Sequence, residues 1–148
     1  MQLRGDVIIH AARKKVWDFL TDPNQVGRCA PGVEKIETIE PLKKYRGTVM
    51  VGLGSVKARF EGDVEILELQ EPDQAKLRAH GTAAGSAADA VSEMRLSDGP
   101  DGSTQVHWTA DINVSGQLAS LASRLMEPVS QKLAGQFYDE VRKRIEAG

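Results

Sequence analysis

Residues 56–66, Val-Lys-Ala-Arg-Phe-Glu-Gly-Asp-Val-Glu-Ile, alternate without a break between an apolar residue or glycine and a charged one. Successive side chains of a strand point to opposite faces. One face therefore carries Val56, Ala58, Phe60, Gly62, Val64 and Ile66, and the other carries Lys57, Arg59, Glu61, Asp63 and Glu65. A register slip of one residue would bury those five charges, so the pattern fixes which face is covered. A second alternation sets Val106, Trp108, Ala110, Ile112 and Val114 against His107, Thr109, Asp111 and Asn113.

Strand follows strand from Val33 to about Val114. Gly52-Leu53-Gly54 reads as a hairpin, and Asp98-Gly99-Pro100-Asp101-Gly102 as a stronger turn. Short turns between strands require an antiparallel meander. Before it, residues 3–9 read as a strand and Arg13 to Thr21 as a helix, stopped by Asp22-Pro23. Asn24 to Gly32 reads as a loop with one short helical turn. After it, Gln117 to Ala147 reads as one helix about 45 Å long at 1.5 Å per residue, with Ser115 as its cap. Leu118, Leu121, Ala122, Leu125, Val129, Leu133, Phe137, Val141 and Ile145 form its apolar stripe. Pro128 interrupts the hydrogen-bond ladder of that helix, either as a bend that follows a curved sheet or as a hinge.

The 148 residues favour one domain spanning 1–148. The class is α+β: a curved antiparallel seven-stranded sheet wrapped around a long C-terminal helix. A net charge of −2 and the lack of any nucleic-acid motif argue against DNA or RNA as partner. No apolar run approaches the roughly 18 residues of a membrane span. The N-terminus lacks a secretory signal, and the single cysteine, Cys29, suits a reducing cytosol.

A curved sheet and one helix enclose a space that side chains either fill or leave open. The stretch 79–90 is dominated by small residues, among them Ala79, Gly81, Ala83, Ala84, Gly85, Ala87, Ala88 and Ala90. Such a wall must meet bulky partners or face a ligand; tight sheet-on-helix packing and an apolar cavity are the two readings. Strand phase points Val49, Val51, Ala58, Phe60, Val64, Leu77, Met94, Trp108, Ala110 and Ile112 inward. Neither this set nor the helix stripe holds a carboxylate, histidine or lysine, so general acid–base catalysis has no candidate. Ser92 is the main polar exception, with no base in view. The cavity-lining set is accordingly Val49, Val51, Phe60, Leu77, Met94, Trp108, Ala110, Leu121, Leu125, Met126, Val129 and Leu133, with no catalytic residue and no metal ligand.

Other residues have two readings each. His10, His80 and His107 are scattered, which disfavours a metal site. Cys29 reads as a small, partly buried apolar residue rather than a nucleophile. Trp17 and Phe19 belong to the core or to the pocket mouth. Met50, Met94 and Met126 are filler or an adaptable ligand wall. Arg13, Lys14 and Lys15 are solvated surface or a patch for anionic headgroups or an acidic partner.

The segments Val16-Trp17-Asp18-Phe19-Leu20, Cys29-Ala30-Pro31-Gly32-Val33-Glu34, Val51-Gly52 through Phe60-Glu61-Gly62, and Gly85-Ser86-Ala87 then carry a resemblance. Gly116-Gln117-Leu118-Ala119, Arg124-Leu125, Lys132-Leu133 and Gln136-Phe137 complete it. In this order along nearly the whole chain they resemble the G-subunit family of carbon monoxide dehydrogenase. That family lies within the START-like (SRPBCC, polyketide cyclase/birch-pollen-allergen) superfamily.

The resemblance implies a helix-grip fold with a deep hydrophobic cavity. It also implies an accessory role beside a molybdenum carbon monoxide dehydrogenase or related molybdenum hydroxylase. The expected ligand is a quinone or isoprenoid lipid, with no covalent cofactor. The expected location is the cytoplasm or the inner face of the cytoplasmic membrane, where the protein links the enzyme to electron transport. Some members carry a long C-terminal extension for membrane attachment; this sequence ends at Gly148 without one, so transient membrane contact is the expectation. The alternatives are a cyclase or hydrolase on the same fold, and an assembly or recruitment factor that binds no lipid.

Overall fold

The computed structural model describes residues 1–147; Gly148, the last residue of the expected domain, lies outside them. Strand β1 (Gln2–Ile9) leads into helices α1 (Arg13–Leu20) and α2 (Pro23–Cys29). The meander follows as β2 (Val33–Glu40), β3 (Lys44–Leu53), β4 (Val56–Gln70), β5 (Gln74–Ala83), β6 (Ser86–Asp98) and β7 (Thr104–Gly116). Helix α3 (Ala119–Glu146) ends the fold. The seven strands make one antiparallel sheet in the order β1-β7-β6-β5-β4-β3-β2, so the first strand returns to pair with the last.

Local sequence sets the element ends. Asp22 caps α2 by accepting from the Asn24 amide at 2.9 Å, and Pro23 occupies the first turn, where its missing N–H costs nothing. The predicted loop is thus a full two-turn helix with a proper start. Ser115 does not cap α3: it lies within β7, opposite Ala87. The acceptor at the helix start is Ser86 Oγ, 2.9 Å from the Leu118 amide, supplied by a strand some thirty residues earlier. Pro128 sits on the exposed side of an uninterrupted α3.

The solid core occupies one end of the molecule. Val7 and Ile9 of β1, Val16 and Trp17 of α1, Cys29 of α2, Leu96 of β6, Val106 of β7, and Val141 and Ile145 of α3 pack together there. Polar bonds lock the same end. Arg142 Nε donates to the Ile8 carbonyl at 3.1 Å, the His10 amide donates to Glu146 Oε1 at 2.9 Å, and Lys15 Nζ donates to the Ile145 carbonyl at 3.3 Å. The last of these places a cation where the helix has unpaired carbonyls and the negative end of its dipole.

Away from that end the helix and sheet part. The main sheet neighbours of α3 are β1, β7 and β3, which lie towards the two edges; β4, β5 and β6 make no comparable contact with it. The middle of the concave face is therefore roofed but not filled.

Candidate functional site: two adjoining apolar cavities

The floor under the helix is a row of small residues running across five strands, Gly47–Gly62–Gly81–Ala88–Val114. Beside it runs Tyr45–Val64–Ala79–Ala90–Ile112. Three adjacent glycines give the sheet no inward side chains at that place. Gly47 also permits the close approach of β2, because a Cβ there would lie 2.7 Å from the Lys35 carbonyl oxygen.

Above this floor is a cavity of about 420 Å³, roofed by Met126, Val129, Ser130 and Leu133 of α3 and walled by Val49, Val51, Leu53 and Phe60. A second cavity of about 280 Å³ lies towards the β2–β3 turn, between Leu20, Pro23 and Val26 of the short helices and Leu69, Leu77 and Met94 of the sheet. The two share Ile36, Gly47 and Val64 as common wall.

Of the twelve residues expected to line the pocket, Val49, Val51, Phe60, Met126, Val129 and Leu133 surround the larger cavity. Leu77 and Met94 surround the smaller one. The other four stand elsewhere. Trp108 faces inward, as its phase requires, but its ring covers Gly5 of the neighbouring strand: a Cβ there would lie 2.6 Å from Trp108 Nε1. Ala110 pairs with Leu3 next to β1, beyond the cavity wall. Leu125 reaches the Gly54 hairpin, 3.4 Å from where a Cβ on Gly54 would stand, and Leu121 precedes it by one turn outside both cavities. Sequence reasoning missed Ile36, Leu53 and the α1–α2 corner (Leu20, Pro23, Val26), whose approach is tertiary.

Of the charged residues that border these cavities, Lys35, Arg46, Asp63 and His80 find partners at the protein surface. Around the larger one, Asp63 accepts from Arg46 Nε at 3.1 Å, His80 Nδ1 lies 2.6 Å from Asp89, and Lys35 is 3.6 Å from Glu37. The polar groups around the smaller one have local partners. Ser92 Oγ donates to the Thr109 carbonyl at 2.9 Å, Thr21 Oγ1 donates to the Trp17 carbonyl at 2.7 Å, and the Tyr45 hydroxyl accepts from the Leu42 amide at 3.1 Å. The surface within is greasy, the kind of lining that suits burial of an apolar molecule.

The remaining candidates resolve as structure. Cys29 is buried in the core, which pushes its thiol pKa up and away from the reactive thiolate. Trp17 is a core residue, and Phe19 packs against the same cluster. Tyr138, edge-on to Phe137 at 4.9 Å, has its phenol held neutral far into alkali by burial. His107 pairs with Asp6 at 2.7 Å on the sheet surface. In the basic run, Arg13 bridges Asp73 at 2.7 Å and Asp98 at 2.8 Å, while the more exposed Lys14 makes surface pairs with Asp18 and Glu71 at 3.3 and 3.5 Å. Arg13 thereby staples α1 to the sheet, and the hydrogen bond to Asp98 is the larger reason its pKa is raised.

A sheet of this order wrapped on a C-terminal helix over an apolar space defines a START-like fold. A START superfamily protein from Mycobacterium smegmatis superposes with a TM-score of 0.73 at 9% identity, over 99% of this chain and 97% of that one. The Zhui aromatase/cyclase of a Streptomyces species gives 0.69 at 17%, over 100% and 98%. A conserved protein from Geobacillus kaustophilus gives 0.91 at 24%, over 99% and 96%. The model of the carbon monoxide dehydrogenase G-subunit family (CoxG) matches residues 5–146, and the chain belongs to that family. The comparison with curated proteins gave no match. Among the described residues, no helix is long and apolar enough to cross a membrane.

Proposed function

We propose that the protein is a non-catalytic accessory component of a molybdenum carbon monoxide dehydrogenase, or a related molybdenum hydroxylase. In this reading it carries a quinone or similar isoprenoid lipid between that enzyme and the inner face of the cytoplasmic membrane. The observation that supports it is the pair of adjoining apolar cavities whose charged neighbours turn outward.

Size agrees with the ligand class. The cavities of about 420 and 280 Å³ adjoin, and together they fall within the roughly 300–1,000 Å³ common for small-molecule sites. Energetics agree as well. Each methylene moved out of water gains about 0.8 kcal/mol, so a tail crosses water reluctantly but passes from bilayer to apolar cavity at little cost. A carrier needs that wall and little chemistry of its own.

Calorimetric titration with a water-soluble short-tail quinone tests the reading. Saturable binding with one site per chain is expected; heats of dilution alone would count against it.

A further inference from the structure

We propose that Ser130 of α3 anchors the polar head of the ligand by a hydrogen bond, so that the head lies in the larger cavity and the tail runs into the smaller one. This rests on the carrier reading and adds to it an orientation and a preference for a head that accepts a hydrogen bond. Met126, Val129, Ser130 and Leu133 roof the larger cavity at helical spacing, which sets Ser130 within the apolar face, one turn after Met126. It is half-buried there.

The hydroxyl is unengaged. A serine inside a helix often bonds back to a carbonyl of the preceding turn, as Ser123 Oγ does to the Ser120 carbonyl at 2.8 Å. Ser130, two turns further along the same helix, has no hydrogen-bond partner for its side chain among the described residues. The other polar side chains around the cavities differ. Lys35, Asp63 and His80 have surface partners, and Thr48 falls between Gly47 and Val49 on the opposite phase of β3. The hydroxyls of Ser92, Thr21 and Tyr45 around the smaller cavity are all paired within the fold.

Helix formation gives no reason for a serine at this place, since alanine favours a helix more and would roof the space as well. What the serine supplies is one donor in an apolar wall. Water meets that hydroxyl in an open cavity. A ligand that expels the water must either replace the bond or leave the hydroxyl unpaired. A quinone carbonyl replaces it, and an isoprenoid chain does not. The smaller cavity offers no free hydroxyl and so suits the hydrocarbon part, which reaches it past the shared wall of Ile36, Gly47 and Val64.

Two probes of one shape test the anchor: duroquinone, and durene, which has the same ring and methyl groups without the carbonyls. Each is measured by displacement of a fluorescent apolar dye. Ser130→Ala should weaken duroquinone about fivefold, the order of one neutral hydrogen bond, and should leave durene unchanged or tighter. Ser130→Thr, which keeps the hydroxyl, should restore duroquinone binding. In infrared difference spectra the carbonyl stretch of bound duroquinone should lie lower in the wild type than in Ser130→Ala. Equal changes for both probes, or a duroquinone affinity and carbonyl frequency untouched by Ser130→Ala, overturn the anchor and leave the carrier reading standing. A wild type that binds neither probe overturns both. Leu77→Phe narrows the smaller cavity and tests the orientation, with Ala75→Val in its place should that variant unfold. Either should weaken decylubiquinone, which has a tail, and spare duroquinone. Loss of duroquinone, or undiminished binding of decylubiquinone, overturns the orientation.

Discussion

Gly62 of β4 and Gly81 of β5 face each other in the sheet so closely that a Cβ on Gly62 would lie 2.0 Å from the His80 carbonyl oxygen and 2.6 Å from the Gly81 Cα. The reverse is not true. A Cβ on Gly81 would meet Phe60 Cβ at 3.5 Å, an ordinary contact, on the cavity side of the sheet. One glycine is required by the backbone, and its partner by the empty space.

These neighbours should therefore respond differently to the same substitution. Gly62→Ala forces two strands apart and should cost about 1–3 kcal/mol, as overpacking does, lowering Tm by several degrees in a thermal melt. Gly81→Ala should leave Tm close to the wild type. Equal melts for the two variants would contradict the assignment of the close strand approach to Gly62.

Ala88 pairs with Gly81 on the cavity floor. Ala88→Phe should fill the larger cavity from a strand already built for inward side chains. Short-tail quinone affinity should fall by tenfold or more, since about 1.4 kcal/mol of lost burial suffices for that factor, while circular dichroism reports an intact fold. Retained affinity in a folded variant would move the ligand elsewhere.

Glu34 accepts two hydrogen bonds from Arg59, at 2.7 and 3.2 Å, and the Arg59 side chain holds its carboxyl below the ordinary glutamate range. A carboxylate whose folded pKa is depressed contributes stability above its unfolded pKa of about 4.3, and that contribution fades as pH falls through the folded value. Carboxyl titration by NMR should show Glu34 losing its charge at lower pH than a free glutamate, and Arg59→Gln should return it upward. The effect on unfolding is small, because the pair is exposed and screened by salt.

Much of this architecture was legible in local patterns. The charge alternation of Val56 to Ile66 placed Ala58 on the buried face and Lys57 and Arg59 on the exposed one, as β4 has them. The small residues of 79–90 face the roof with Ala79, Gly81 and Ala88 bare of bulk, which is why a space remains. What stayed hidden depends on partners distant in sequence. Phase put Trp108 inward, but only the pairing with Gly5 shows that its ring has a bed beside the cavity. The helix cap comes from Ser86, not Ser115, because the hairpin before β6 meets the start of α3. Arg13, Lys14 and Lys15 read as solvated surface or a patch for anionic groups, and their partners Asp73, Asp98, Glu71 and the Ile145 carbonyl are all distant in sequence. The apolar stripe of α3 looked uniform, yet Val141 and Ile145 seal the core while Val129 and Leu133 roof empty space.

The most direct test of the carrier account is native mass spectrometry of protein purified without detergent from a quinone-producing host, with lipid extraction in parallel. A species one isoprenoid quinone heavier than the bare chain, and an equimolar quinone in the extract, is the expected result. A bare chain that takes up no added quinone would contradict it.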